Sequence, residues 1–132
     1  MKKVRIETRK KQEVVDITDL VAELLKETDG RDGLVHLFLL HTTAALTIAD
    51  LDPGTDEDLL DAFRELVPKL RFRHPHDPKH VPDHILSALI GTSLCVPIAA
   101  GKPVLGTWQR VVLVEFDGPR QRQLVMSVMA QE

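Results

Sequence analysis

Two glycines five residues apart, Gly101 and Gly106, with Pro103 between them, interrupt the apolar stretch SLCVPIAAGKPVLGTWQRV at residues 93–111. Glycine supplies turn geometry and proline removes a ladder donor, so this spacing predicts a tight connection between strands. Strands joined so closely leave no room for a crossover helix and pair antiparallel. Thr107 to Phe116 then reads as one long strand that carries the only tryptophan, Trp108. Ser93 to Ile98 and Gln123 to Met129 complete a C-terminal sheet by the same period-two pattern.

Upstream, Lys3 to Thr8 and Glu13 to Ile17 alternate as a hairpin would, and Thr18 is placed to cap a helix whose apolar stripe is Leu20, Val21, Leu24 and Leu25. Gly30 is expected to end that helix. Leu34 to His41 is nearly all apolar, as a strand buried on both faces would be, with Ala44 to Ile48 as its continuation or partner. Thr55 with Asp58 three residues on has the form of a capping box before Leu59, Leu60, Phe63, Leu66 and Val67 at helical spacing. Pro82 opens a short helix that runs to Ile90. Strands gathered at both ends with helices between them predict one α+β domain over residues 1–132, mainly antiparallel, rather than a doubly wound nucleotide fold. No GxGxxG or phosphate-loop motif is present.

A 132-residue chain that is 43% hydrophobic supports one core. Its net charge of -3, with four Phe and no Tyr, gives neither the basic footprint nor the stacking platforms of a nucleic-acid binder. No run approaches the roughly 18 apolar residues of a membrane span, and the N-terminus has no signal-peptide core, so a cytoplasmic protein without membrane partners is expected. Cys95 is the only cysteine, which leaves no partner for an internal disulfide. Between Leu94 and Val96 it reads as a buried, inert thiol.

Polar residues set into apolar elements mark where chemistry could lie. Of six histidines, His74, His76, His80 and His84 fall between Phe72 and Ile85. Metal binding is the sharp interpretation, but Pro75, Pro78 and Pro82 interrupt the segment and no HExxH spacing is present. His84 falls in the first turn of the helix opened by Pro82, where the dipole favours neutral imidazole. His36 and His41, five apart on one strand, face opposite sides. His41 precedes Thr42 and Thr43, whose hydroxyls and amides could hold a phosphate. The acids between Asp50 and Asp61 do not form a calcium loop, because Gly54 and Thr55 are out of register. Asp50 and Asp52 remain candidates to orient a histidine. On the last long strand Gln109 and Glu115 share a face with Val111 and Leu113. A carboxylate at that position needs a partner, because burying it alone costs several kcal/mol. Arg120, in the Asp-Gly-Pro-Arg turn, is an available cation.

Taken together, Leu34-Val35-His36-Leu37 leading to His41-Thr42-Thr43-Ala44, Asp52-Pro53, Pro82-Asp83-His84-Ile85 and the segment ending Gly106-Thr107-Trp108-Gln109 resemble the YjbQ-type family. That family is linked to a secondary thiamine-phosphate synthase activity. The resemblance covers nearly the whole chain, and Glu115 and Arg120 fall where the family places a Glu and an Arg. It implies a β-sandwich-like α+β subunit that assembles as a homotrimer. It further implies that His41, His74 and His84 are the family's matching histidines, with His76 beside Asp77 as the alternative to His74. One difference stands out: relatives resemble Leu-Thr-Leu-Asn-Glu-Asn-x-Asp-Pro after the His-Thr motif, and here Asp50 alone replaces the Asn-Glu pair.

The expectation that follows is a small enzyme acting on a phosphorylated molecule. His41, His74 and His84 would hold a divalent metal, zinc or magnesium. Glu115, Asp52 and His41 are the candidate catalytic groups, and Thr42, Thr43, Gln109 and Arg120 the candidate substrate contacts. Thiamine-phosphate synthesis would join a pyrimidine diphosphate to a thiazole phosphate with loss of pyrophosphate. Metal-dependent hydrolysis of a phosphoester, or a ligand-binding trimer without catalysis, are the alternatives.

Overall fold

The computed structural model describes residues 1–29 and 31–131. Two antiparallel sheets face each other. The larger contains β1 (Lys2–Glu7), β3 (Gly33–Leu39), β5 (Ser93–Ala99), the short β6 (Lys102–Pro103) and β8 (Gln121–Ala130), in the order β1-β8-β3-β5-β6. The smaller holds β2 (Glu13–Asp16), β4 (Ala44–Ala49) and β7 (Arg110–Glu115), in the order β2-β7-β4. Val35, Leu37, Leu124, Val111 and Leu113 fill the space between the sheets, closed at one end by Val21 and Leu25 of α1 (Thr18–Leu25). Each such side chain removed from water contributes about 2 kcal/mol. The far side of the small sheet is covered by α2 (Thr55–Leu66) and α3 (Val81–Ile90), with Leu60, Phe63 and Leu86 against Val112, Val114 and Phe116. The fold is the expected mainly antiparallel, sandwich-like α+β domain. No helix among the described residues is long and apolar enough to cross a membrane.

The strand buried on both faces is β7, not β3. Residues Val111 to Glu115 are all fully buried, between the large sheet on one side and α2 and α3 on the other. β3 alternates instead, with Val35, Leu37 and Leu39 inward and Leu34 and Phe38 exposed at 40% and 43%. Among the described residues, no helix packs against that outer face. Cys95 shares it, so the thiol expected to be buried is exposed while Val96 and Ile98 point inward.

The N-terminal strands do not form a hairpin with one another. β1 adds to β8 and β2 adds to β7, so the chain changes sheet at residues 8–12. Likewise Ala44–Ala49 pairs with β7 rather than β3. Thr18 does not cap α1: its Oγ1 accepts the Val111 N–H at 2.7 Å, and the Thr18 N–H is taken by Asp16 Oδ1 at 3.0 Å. The hydroxyl thereby satisfies a buried strand donor that would otherwise cost a few kcal/mol. Gly30 lies outside the described residues. The last carbonyl of α1, on Leu25, is met by the Thr28 N–H at 3.0 Å and Thr28 Oγ1 at 2.6 Å. At α2 no capping box forms, because Gly54 is the cap residue and the Thr55 N–H goes to the Asp52 carbonyl.

The stretch from 93 to 111 makes a tight turn as expected. Ala100 and Gly101 both adopt positive φ, 52° and 77°, and pair β5 with β6 antiparallel. Two successive positive φ values are the geometry of a hairpin turn matched to strand twist. The chain then crosses to the small sheet before β7 begins at Arg110. Trp108 therefore lies in a turn, 69% exposed, rather than on the strand.

Candidate functional site

Two sheet-changing corners meet at one end of the sandwich. Residues 40–43 carry the chain from β3 to β4, and residues 116–120 carry it from β7 to β8. They are tied by the Phe116 N–H to the Thr43 carbonyl at 3.1 Å and the Leu40 N–H to the Gln123 carbonyl at 3.0 Å. α3 is pinned across them by Ser87 Oγ, which donates to the Ala44 carbonyl at 2.6 Å. This explains the small residue at position 87: the helix backbone must approach β4 closely, where the Leu46 N–H also donates to the Gly91 carbonyl at 2.9 Å, and the Ser87 hydroxyl finds a carbonyl of its own.

That docking brings His84 over the first corner, where Nδ1 donates to the Thr42 carbonyl at 2.9 Å. A carbonyl can only accept, so the proton is on Nδ1 and Nε2 keeps an open lone pair. His74 stacks on His84 with ring centroids 5.0 Å apart and accepts the Asp77 N–H on Nδ1 at 3.2 Å. His41 accepts the Gln123 N–H on Nε2 at 2.8 Å. Burial and the nearby Arg122 hold the His41 imidazole below its ordinary pKa, against the opposing pull of Glu115. His41 is thus neutral near pH 7, and His41 and His74 each use one ring lone pair on a backbone donor.

His41, His74 and His84 together wall two adjoining cavities. One, of about 650 Å³, has an apolar floor that includes Phe38, Leu39, Val81 and Ala88. The other, of about 700 Å³, is polar and takes in Thr43, Asp117, Arg120 and Arg122. The three histidines lie side by side, as a wall rather than a ligand set. Metal ligands must converge on one point with free lone pairs. Only His84 has one, so the three residues as arranged do not fit a zinc or magnesium ion. Among the described residues, the His, Cys, Asp or Glu ligand atoms that do lie within 4.8 Å of one another belong to His80, Asp83 and Asp117.

His80, read from the sequence as an ordinary loop residue, sits in a 3-10 turn (Pro78–His80) and faces carboxylates on both sides. Nδ1 is 3.0 Å from Asp117 and 3.8 Å from Asp83, and Nε2 is 3.2 Å from Asp77. The spacing Asp77, His80, Asp83 is i, i+3, i+6, the periodicity that places three side chains on one side of a helical turn. Asp117 is also paired with Lys11 and with Arg120 at 2.9 Å. Burial would raise its carboxyl, but the Lys11 and Arg120 bonds outweigh it and bring the pKa down to about 2. Asp83 has only the more distant His80 beside it, and burial raises its pKa.

Glu115 is fully buried, as its place among Val111 and Leu113 requires, and its partner is Arg122 rather than Arg120. Arg122, 2% exposed, grips the carboxylate through Nε at 2.8 Å and through a second, shorter contact from Nη2. Thr8 Oγ1 donates to the same carboxylate at 2.7 Å and the Asp117 N–H at 3.2 Å. Burial pushes the Glu115 pKa up, but these donors prevail and hold it below the ordinary carboxylate range. Every oxygen is engaged, so Glu115 is a structural anion beneath the site. Arg122 has a legible signal of its own: it shares the inward parity of Leu124 and Met126 on β8. A second core-facing charge of opposite sign is the partner that Glu115 demands. Arg122 Nη2 also reaches Thr43 Oγ1 at 2.8 Å, which joins the buried pair to the polar cavity.

The other anticipated residues divide. Thr42, Thr43 and Arg120 line the polar cavity with the histidines. Arg120 is half exposed, its Nε bonded to the Asp117 carbonyl at 2.7 Å. Gln109 is elsewhere: its Oε1 accepts the Gly106 N–H at 2.8 Å and closes the 106–109 turn. Asp52 lines neither cavity and serves the start of α2 through its carbonyl. His36 donates to or accepts from Ser93 Oγ at 2.6 Å on the outer face of the large sheet.

The family model described as UPF0047 protein YjbQ-like matches residues 2–131. The chain belongs to this family. It is 38% identical over 125 residues to a UPF0047 protein of Archaeoglobus fulgidus, covering 94% of this chain and 97% of that one. Against UPF0047 protein YugU of Bacillus subtilis the identity is 35%, with 98% of each chain covered. Among solved structures, a hypothetical protein from Aeropyrum pernix superposes with a TM-score of 0.89 at 32% identity, covering 98% of both chains. A protein of unknown function from Sulfolobus solfataricus also gives 0.89, at 30% identity and with coverage of 98% and 96%. The family's function is unknown, so the chemistry must be argued from the histidine-lined cavities.

Proposed function

We infer that the protein is an enzyme that breaks the bond to a phosphate or diphosphate group of a small organic molecule. The observation that carries this is the His84 ring, whose Nδ1 proton is committed to the Thr42 carbonyl. Its Nε2 is left as an open acceptor on a residue that borders both cavities. The phosphate would lie in the polar cavity, against Arg120 and the Thr42 and Thr43 hydroxyls. The organic portion would occupy the apolar one. In hydrolysis, water oxygen attacks phosphorus, the ester P–O bond breaks, and the water proton passes to Nε2, the role of a general base. Arg120 neutralises charge gathering on the phosphoryl oxygens.

Thiamine-phosphate synthesis is a second reading, favoured by the pairing of two cavities across one wall: two substrates could meet there. Pyrophosphate would leave the pyrimidine carbon as the thiazole nitrogen bonds to it. Assembly as a homotrimer is part of the same proposal, supported by the exposed Leu34, Phe38, Leu40 and Met129 on the uncovered face of the large sheet. Phe38 and Leu40 also border the apolar cavity, which a second copy would help to enclose.

The test uses a pyrimidine diphosphate with and without thiazole phosphate, beside a panel of aryl and sugar phosphates. Pyrophosphate released only when thiazole phosphate is present selects synthesis, and phosphate released without an acceptor selects hydrolysis. For hydrolysis His84→Ala should lower turnover about 100-fold or more. Absence of any phosphate or pyrophosphate release at micromolar enzyme ends the proposal. Light scattering of Phe38→Asp, expected to reduce the mass from three chains to one, tests the assembly separately.

A further inference from the structure

A third cavity, of about 600 Å³, borders the same segment that carries the histidines but shares no lining residue with the two cavities they wall. It is formed where the chain leaves α2 and passes toward the 3-10 turn. Its lining includes the apolar Val67, Phe72, Pro78 and Pro82 and four cations, Arg64, Lys69, Arg71 and Lys79. No carboxylate lines it. Arg64 is already paired with Asp61 at 2.5 Å, but Lys69, Arg71 and Lys79 enter no ion pair among the described residues. Three uncompensated positive charges beside apolar lining residues are unusual on a chain whose net charge is -3.

From this we propose that the cavity binds a small organic phosphate with an aromatic body, a ligand of about the size of a nucleoside monophosphate. The volume falls within the roughly 300–1,000 Å³ of small-molecule sites, where apolar walls hold the body and a few placed polar groups fix the orientation. Phe72 supplies an aromatic ring and Val67, Pro78 and Pro82 add apolar contact, so a planar body is favoured over a chain. Arg71 supplies a planar fork for two phosphate oxygens, and Lys69 and Lys79 supply point charges. An uncharged aromatic compound would leave the cations unmatched, and inorganic phosphate would leave the apolar lining wet. The site is separate from the proposed catalytic cavities. Pro82 lies two residues before His84, and Lys79 immediately precedes His80, so the two regions share one rigid segment.

Titration calorimetry and fluorescence with 1-naphthyl phosphate and with AMP test this. Both should bind with micromolar dissociation constants that weaken as salt rises, because the contact is charge-dependent. 1-Naphthol, adenosine and inorganic phosphate should each bind at least tenfold more weakly. The exposed double variant Arg71→Glu/Lys79→Glu should lose binding more than tenfold while its thermal midpoint stays unchanged, and His84→Ala should bind as the unmodified protein does. Binding that survives the double charge reversal, or disappears in His84→Ala, overturns the assignment by moving the ligand to the histidine wall. Failure of both phosphates to bind at 1 mM overturns it as well. Retention on phosphatidylserine vesicles without binding of either phosphate would replace it with a lipid surface. Because the proposed reaction could consume both probes, 1-naphthylphosphonate, whose P–C bond is not hydrolysed by water attack, repeats the titration. The readout is only the binding event that Arg71→Glu/Lys79→Glu removes and His84→Ala leaves, which keeps it apart from the hydrolysis or synthesis assay.

Discussion

Replacing Arg122 by Met should be among the most damaging single changes available to this fold, and the damage should depend on pH. The substitution keeps most of the side-chain length but removes the guanidinium that holds Glu115 through two contacts. Glu115 then remains fully buried with only Thr8 Oγ1 and the Asp117 N–H to solvate its charge. Breaking one half of a buried pair costs about 3 to 5 kcal/mol. For 132 residues the unfolding entropy of roughly 2 cal/mol/K per residue converts each kcal/mol into about 3 to 4 °C, so the midpoint should fall by roughly 10 to 18 °C. In the intact protein the Glu115 pKa lies below its ordinary value of 4.5. Its pairing therefore contributes stability that is complete above 4.5 and is lost as pH falls through the lower, folded value. Without Arg122 the burial contribution, which raises the pKa, is no longer outweighed. The variant should then take up a proton on folding at mildly acidic pH, so the deficit relative to the intact protein should be largest near pH 7 and shrink toward pH 4. The double variant Glu115→Gln/Arg122→Met, which removes both charges of this pair, should recover most of the loss. Urea titration of all three proteins at pH 4, 5.5 and 7 measures this. A pH-independent deficit, or a double variant as unstable as Arg122→Met, would refute the argument.

Asp117→Asn should cost about 2 kcal/mol at pH 7, from the lowering of its carboxyl from 3.8 to about 2. Because that pKa is depressed on folding, the difference from the unmodified protein should persist down to about pH 4, fall steeply through about pH 2 and vanish by about pH 1, as denaturant titrations across that range would record. Gly118→Ala would place a Cβ 2.3 Å from the Lys10 carbonyl and 2.8 Å from Glu115 Cγ. With backbone on one side and the buried pair on the other, it should destabilise by about 2 kcal/mol or more in calorimetry. Thr18→Val keeps the shape but orphans the Val111 N–H, for an expected loss of about 1 to 3 kcal/mol. Elemental analysis of protein exposed to zinc should give the same content for His41→Ala as for the unmodified chain, since the His41 lone pair is already used. Loss of a stoichiometric ion in that variant would show that the ring turns to ligate metal.

Much of the architecture was legible because local periodicity carries it. β1, β5, α2, α3 and β8 fall within a residue or two of their expected places, each with its apolar parity or stripe turned inward. Pairing was not legible to the same degree. Alternation states which side chains face the core but not which sheet provides the partner, and for that reason the N-terminal hairpin and the pairing of β3 with β4 both failed. Thr18 and Thr55 show a similar limit. Each is a good cap by type, yet one hydroxyl is claimed by a buried strand donor and the other residue falls one position inside the helix.

The site divides along the same line. By itself the sequence singled out His41, Thr42, Thr43, His84 and Arg120 and required a partner for Glu115, because polar groups set against apolar periodicity are conspicuous along the chain; His74 was selected only by the family resemblance, with His76 as the alternative. Tertiary structure picked Arg122 over Arg120 as that partner, a choice the inward parity of Arg122 on β8 only hints at, and it alone decided that His80 joins Asp83 and Asp117 and that Gln109 and Asp52 stand apart. It also decided the chemistry of the histidines. Whether a ring nitrogen is free to act depends on a hydrogen bond from another strand or to another corner: Gln123 for His41, Thr42 for His84. Such contacts are fixed by how the two sheet-changing corners dock, and residues 82 apart in the chain carry no local pattern that records their meeting.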